Sequence, residues 1–126
     1  MLIFVVLTKA DMTKITDYIQ QANGKTLFSI EVIPPIKGNN ISELLGNIEP
    51  LMDFKPPFID VTYHREEYLE KPLADGRIQQ IVTRKRPGTI GICASIMHRF
   101  GVDAVPHVLC GGFTKDETED FLMDLH

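Results

Sequence analysis

Positive charge is scarce in this chain. Thirteen Lys and Arg stand against seventeen Asp and Glu, for a formal net charge of −4. No basic stripe is available to follow a phosphate backbone, so no nucleic-acid partner is expected. Cysteine is almost absent: Cys93 and Cys110 form no C-x-x-C pair. Without a secretory context they favour reduced thiols in the cytosol over a structural disulfide. The four histidines (His64, His98, His107, His126) have neither H-x-x-x-H nor Cys/His spacing, so no metal site is expected. Long apolar runs are also missing. Leu2 to Leu7 is six residues long, against about 20 for a membrane span. It has no basic residue before it and no small-residue cleavage site after it, which makes a signal peptide a poor reading and leaves a cytoplasmic, membrane-free protein as the expectation. Met12 stands just before a helix start, so residues 1–11 read as an upstream extension or disordered start and Met12 as the natural beginning.

What is present is the vocabulary of one globular domain, with 44% hydrophobic and 24% charged residues in ordinary proportion. Three segments read as strands: Leu27–Ile33, ended by Pro34-Pro35; Phe58–Tyr63; and Ala104–Cys110. Each is short, rich in β-branched or aromatic residues and bounded by Gly or Pro. None alternates cleanly enough to leave one face in water, which predicts a sheet covered on both sides, as in parallel α/β folds.

Helical patterns fall between them. Ile41, Leu44, Leu45, Ile48, Leu51 and Met52 recur at helical spacing, with Asn40 and Glu43 as a start signal and Pro50 as an interruption. A second helix is predicted from Pro87 through Ile92, Ala94, Ile96 and Met97, stopping before Gly101. Strand and helix in this alternation imply right-handed βαβ units. Residues 64–86 make an excursion too long for a simple turn, with Asp75-Gly76 as a hairpin signal between Tyr68/Leu69 and Ile78/Ile81/Val82. Such a loop is as readily a bland surface hairpin as a functional one. The basic cluster within it, Arg84-Lys85-Arg86, reads on charge alone as a solvated loop, with a phosphate contact as the minor alternative. Thr114-Lys115-Asp116-Glu117 is a capping box opening a helix with Phe121, Leu122 and Leu125. No Gly, Asn or Pro follows it before His126. The expectation is a chain cut inside its third helix, after about three βα units.

Alternation places Phe28, Ile30 and Val32 on one face and Glu31 on the other, with Ile59 and Val61 opposed to Asp60 and Thr62. In the third strand His107 lies opposite Pro106 and Val108. If the apolar faces meet helices, Glu31, Asp60, Thr62 and His107 all point into a barrel, and several lie near the carboxyl ends of their strands, where barrel enzymes place their chemistry. A buried carboxylate is rare unless paired or functional. Loss of hydration beside Ile30, Val32 and Ile33 would favour the protonated form, which a general acid near neutral pH requires. His107 alone reads more readily as a satisfied core histidine, and Asp60 equally well as structural.

Phe28-Ser29-Ile30-Glu31-Val32-Ile33-Pro34-Pro35 resembles the first-strand motif of methylenetetrahydrofolate reductases, with Val32-Ile33 in place of an aromatic pair. Val61-Thr62-Tyr63 is similar to the family's second-strand ending, and Ala104–Cys110 to its third-strand Pro-His motif. The resemblance runs from about Thr26 to the end, in order. It implies a (β/α)8 TIM barrel, of which this chain would hold the first three units. It also implies bound FAD, NAD(P)H as electron donor, and reduction of 5,10-methylenetetrahydrofolate to 5-methyltetrahydrofolate in one-carbon metabolism and methionine biosynthesis. By the same resemblance Glu31 matches the general acid and Thr62, Tyr63 and His107 match flavin contacts. The partner is a folate substrate, and the full-length enzyme is expected to be a homo-oligomer. The family's Leu-Arg-Gly-Asp flavin segment does not occur in these 126 residues, so the chain alone is expected to be inactive. The alternatives are another FAD-dependent barrel, such as a proline-dehydrogenase-like enzyme, and a non-catalytic truncated fragment.

Overall fold

The structure, a computed structural model, describes residues 13–109 and 111–126. The expectations for residues 1–11 and Met12, and the thiol of Cys110, lie outside the described residues.

Three short parallel strands form the centre: β1 (Ile30–Val32), β2 (Phe58–Val61) and the later Asp103–Pro106. Their spatial order follows the chain, with Phe58–Val61 in the middle. Ile30, Glu31 and Val32 face Ile59, Asp60 and Val61 across one ladder. Ile59, Asp60 and Val61 face Ala104, Val105 and Pro106 across the other. Because side chains alternate along a strand, this register puts the apolar positions of each strand against those of its neighbour. Val32, Ile59, Val61 and Ala104 are all buried on one face, Ile59 and Val61 completely.

Helices cover that face. α1 (Ile15–Ala22) precedes the sheet, α2 (Ile41–Ile48) connects β1 to β2, and α3 (Thr89–Phe100) leads into the third parallel strand. Asn40 caps α2 by accepting from the Ser42 amide at 3.0 Å. At Glu49 the helix tightens into a 3-10 segment, Glu49–Phe54, with Pro50 in its first turn. Proline has no N–H with which to continue the α-ladder, so the interruption falls where Pro50 predicts it. Ile48, Ile92, Cys93 and Ile96 complete the core with Val102, while Leu44, Leu45, Met97 and Phe100 pack around it. Each fully buried aliphatic side chain of this kind contributes about 1.5–3 kcal/mol relative to exposure.

The 64–86 excursion is an antiparallel hairpin, β3 (Glu67–Pro72) with β4 (Ile78–Thr83), pairing Tyr68 with Val82 and Leu69 with Ile81. Gly76 takes φ 82°, the left-handed conformation that glycine adopts without strain. Its amide donates to the Leu73 carbonyl at 3.0 Å. The hairpin stands off the core, and Tyr68, Leu69, Ile78 and Val82 are exposed. With it included, the third parallel strand is β5 (Asp103–Pro106), followed by α4 (Lys115–Leu125). The α4 cap is the predicted box: the Thr114 hydroxyl accepts from the Glu117 amide at 3.2 Å, and Glu117 Oε2 accepts from the Thr114 amide at 2.7 Å.

Several expectations need correction. The strands are shorter than the apolar runs: β1 begins at Ile30 rather than Leu27, β2 stops at Val61, and β5 ends at Pro106. Pairing, not composition, sets these ends. Phe28 lies outside the ladder, half exposed, with its ring 5.4 Å from that of Phe54. α3 starts at Thr89, two residues after Pro87, with Gly88 as its cap. The sheet is covered on one face only. Glu31 is 60% exposed at its side chain, because three strands cannot fold their polar face inward upon itself. The architecture is α/β with a parallel sheet and three strand–helix units; a closed barrel is not formed by these residues.

Candidate active site

The uncovered face carries the polar residues that alternation assigns to it. Glu31 and Asp60 are cross-strand partners in the β1–β2 ladder. Immediately beyond β2 the Thr62 amide donates to the Val32 carbonyl at 2.9 Å, which carries the pairing one step past the strand. That step turns the Thr62 hydroxyl toward β1, where it donates to Glu31 Oε1 at 2.7 Å. The His107 amide likewise donates to the Val61 carbonyl at 2.9 Å, just past β5. Its imidazole lies between the two carboxylates: Nδ1 is 3.9 Å from Glu31 Oε1 and Nε2 is 3.7 Å from Asp60 Oδ1. These separations exceed hydrogen-bond length, so a charged imidazole would meet both acids through space. Glu31, Asp60, Thr62 and His107 are therefore brought together, on three adjacent strands, as alternation predicts.

Tyr63 is not part of this group. Alternation turns it to the opposite side, where it is buried and its ring meets that of Phe113 edge-on at 5.2 Å. Its hydroxyl accepts from the Arg84 guanidinium at 3.5 Å. Tyr63 and Phe113 line an open cavity of about 520 Å³ between the first turns of α3 and α4.

Two supporting contacts have no sequence signature. Thr89, fully buried at the first position of α3, directs its hydroxyl to the His107 carbonyl at 3.5 Å. Arg86 donates to the carbonyl of Pro34, the buried proline that ends the β1 segment. Both are long-range pairings of common residue types, visible only once the sheet is folded. Cys93 packs beneath the site in the core; burial, with the Asp60 carboxylate adding to it, pushes its thiol up to about 11. A thiol in that state is an inert core residue, not a nucleophile.

A hydroxyl, an imidazole and two carboxylates at the carboxyl edge of a parallel sheet define an α/β enzyme domain built from strand–helix units. The family model described as methylenetetrahydrofolate reductase matches residues 14–126, and the chain belongs to that family, a family of oxidoreductases. It is similar to the 5,10-methylenetetrahydrofolate reductase of Salmonella typhimurium (strain LT2), with 26% identity over 104 residues. That similarity covers 82% of this chain and 30% of the relative, so the chain spans under a third of the length of the protein it matches. No solved structure matches. Among the described residues, no helix is long and apolar enough to cross a membrane.

Proposed function

We propose that the protein containing this chain reduces 5,10-methylenetetrahydrofolate to 5-methyltetrahydrofolate, with FAD as cofactor and NAD(P)H as electron donor, and that these residues form the first three units of its (β/α)8 barrel. The observation that carries the reading is the placement of Glu31, with its neighbours, at the carboxyl end of the sheet. Thr62 occupies Glu31 Oε1, and among the described residues no hydrogen bond engages Oε2. That oxygen is free to carry a proton to a ring nitrogen of the folate. Protonation makes the nitrogen a leaving group; the carbon–nitrogen bond of the five-membered ring breaks and an electrophilic methylene carbon results. A bound flavin would supply the hydride that this carbon accepts.

The residues present suit a flavin. Thr62 offers a hydroxyl and His107 two ring nitrogens on an open, strand-end face, and the contact of buried Tyr63 with the half-buried Phe113 fixes the backbone that follows β2. In this reading Thr62 and His107 meet the cofactor from the sheet face, and Tyr63 contributes by holding the β2 end against Phe113. Asp60 lies on the other side of the imidazole, with Oδ1 3.7 Å from Nε2.

The test uses the full-length gene product. A flavin absorbance band and NAD(P)H-dependent folate reduction are expected, with Glu31→Gln keeping the colour and lowering turnover by at least about 100-fold, the scale of lost general-acid catalysis. Normal folate reduction by that variant would remove Glu31 from the role. A colourless, inactive full-length protein would remove the reading as a whole.

A further inference from the structure

Two residues past Thr62, the chain places an imidazole whose Nε2 is buried and has no hydrogen-bond partner. Such orphaned groups are rare in folded proteins and call for a specific reason. His64 lines a cavity of about 210 Å³ with Ile36, Arg65, Glu67, Lys85 and Arg86. Three fixed cations and one carboxylate thus face one small space in a chain whose net charge is −4. Lys85 is paired with Glu67 and Arg86 with the Pro34 carbonyl, while Arg65 makes neither a salt bridge nor a hydrogen bond among the described residues. Its guanidinium instead lies over Gly111 and Gly112; a β-carbon on Gly111 would come within 2.9 Å of it.

The cavity is the work of the hairpin. Arg65 leads into β3, Glu67 opens it, and Lys85 and Arg86 follow β4. The base of the hairpin is tied to the β1 side by the Lys37 amide, which donates to the Lys85 carbonyl at 2.8 Å. The excursion therefore folds a basic rim over the segments that follow β1 and β2, at Pro34, Ile36 and His64. At about 30 Å³ per water, a space of about 210 Å³ has room for a phosphate- or carboxylate-sized group with its hydration.

We propose that this cavity is an anion subsite of the reductase, in which Arg65 and Lys85 take a phosphate or carboxylate of a bound ligand, with the buried His64 imidazole forming part of the cavity wall. Two sources share that chemistry: the phosphates of the nicotinamide dinucleotide and the glutamyl carboxylates of the folate. The proposal deepens the folate-reductase reading and rests on it for the identity of the ligands.

The experiment uses full-length protein and inorganic phosphate as the probe. Phosphate is expected to raise the melting temperature of the wild type above that in chloride of equal ionic strength. Arg65→Ala/Lys85→Gln should abolish the increment and Arg65→Lys should retain it. Arg86 is left intact because it holds Pro34. In turnover, the double variant should raise KM about tenfold, the scale of one charge-assisted hydrogen bond, with kcat unchanged. If NADH and NADPH both shift, the site holds the bridging phosphates. A shift with NADPH alone assigns the 2′-phosphate, and a shift only with folates bearing extended glutamate chains assigns the carboxylates. KM values within twofold for every anionic partner overturn the proposal, whether phosphate stabilises nothing or acts as an adventitious ion only. Failure of folate reduction with a phosphate increment that depends on Arg65 and Lys85 leaves the subsite standing and rejects the reading on which the ligands were named.

Discussion

The Thr62 hydroxyl donates to Glu31 Oε1 across 2.7 Å, joining the end of β2 to the side chain at the middle of β1. The pairing of the Thr62 amide with the Val32 carbonyl sets the height of the hydroxyl. A threonine one residue earlier or later would point into the core. Position in the ladder, rather than residue type, makes Thr62 the partner of the proposed acid.

Removing that hydroxyl should therefore disorder the acid without unfolding the sheet. Thr62→Val in the full-length protein is expected to lower kcat for folate reduction about 2- to 10-fold, the equivalent of one neutral hydrogen bond. Thr62→Ser should restore most of the rate. Steady-state kinetics alongside a melting curve separates the two effects, and an unchanged kcat in Thr62→Val would show that Glu31 needs no such partner.

Cys93 provides a pH signature. Burial raises its thiol from 9.0 to about 11, so the folded state holds a proton that the unfolded state releases first. Its stabilising contribution is complete below the unfolded value and is lost as pH rises through the folded one. Between pH 9 and 11 stability should fall by at most about 2–3 kcal/mol from this group. Denaturant titrations of wild type and Cys93→Ala across that range should diverge, the variant losing less. Parallel pH profiles would mean that the thiolate is accommodated in the core.

Much of this arrangement is legible in the sequence because both of its rules are local. Period-two alternation gives the facing of Glu31, Asp60, Thr62 and His107, and the structure gathers those four. Pro50, the Thr114–Glu117 box and Asp75-Gly76 each mark an event of backbone geometry at its own position. The ends of strands are different. Leu27, Phe28 and Tyr63 are as strand-prone as Ile30 or Val61, yet only pairing with a neighbour decides where the ladder stops. The same holds for Thr89 under His107, Arg86 on Pro34 and the orphaned His64 imidazole. The two contacts join residues 18 and 52 positions apart, and the imidazole lacks a partner altogether, so no local pattern announces them. The solvent exposure of Glu31 was also illegible, because it depends on how many strands surround it.

The first helix is fastened by one such distant contact. The Tyr18 hydroxyl donates to Asp103 Oδ2 at 2.7 Å, and that bond, with partial burial, raises the phenol above its usual range. A raised phenol contributes its stability at neutral pH and loses it on ionisation. Tyr18→Phe keeps the ring near Phe58 while removing the bond, so a loss of about 1 kcal/mol is expected, less where water replaces the partner. Chemical denaturation measures it. Wild-type stability in Tyr18→Phe would mean that α1 is held by ring packing alone.

Shortening the hairpin tests whether it is scaffold or site. None of the nine buried core residues lies between Glu67 and Thr83, and Leu69 and Ile81 are directly opposite one another. Residues 70–80 can thus be replaced by Asn-Gly, a two-residue turn whose twist matches the strands it joins. The core loses no apolar contact by this change, while Arg65, Lys85 and Arg86 remain at the hairpin base. The shortened full-length protein is expected to melt within about 4 °C of wild type, the shift that corresponds to about 1 kcal/mol in a domain of this size. Folate turnover should be unchanged, and phosphate stabilisation should persist. A collapse in stability would show that the tip is covered by another part of the protein. Loss of phosphate stabilisation at unchanged stability would place the anion contact farther up the hairpin than Arg65 and Lys85.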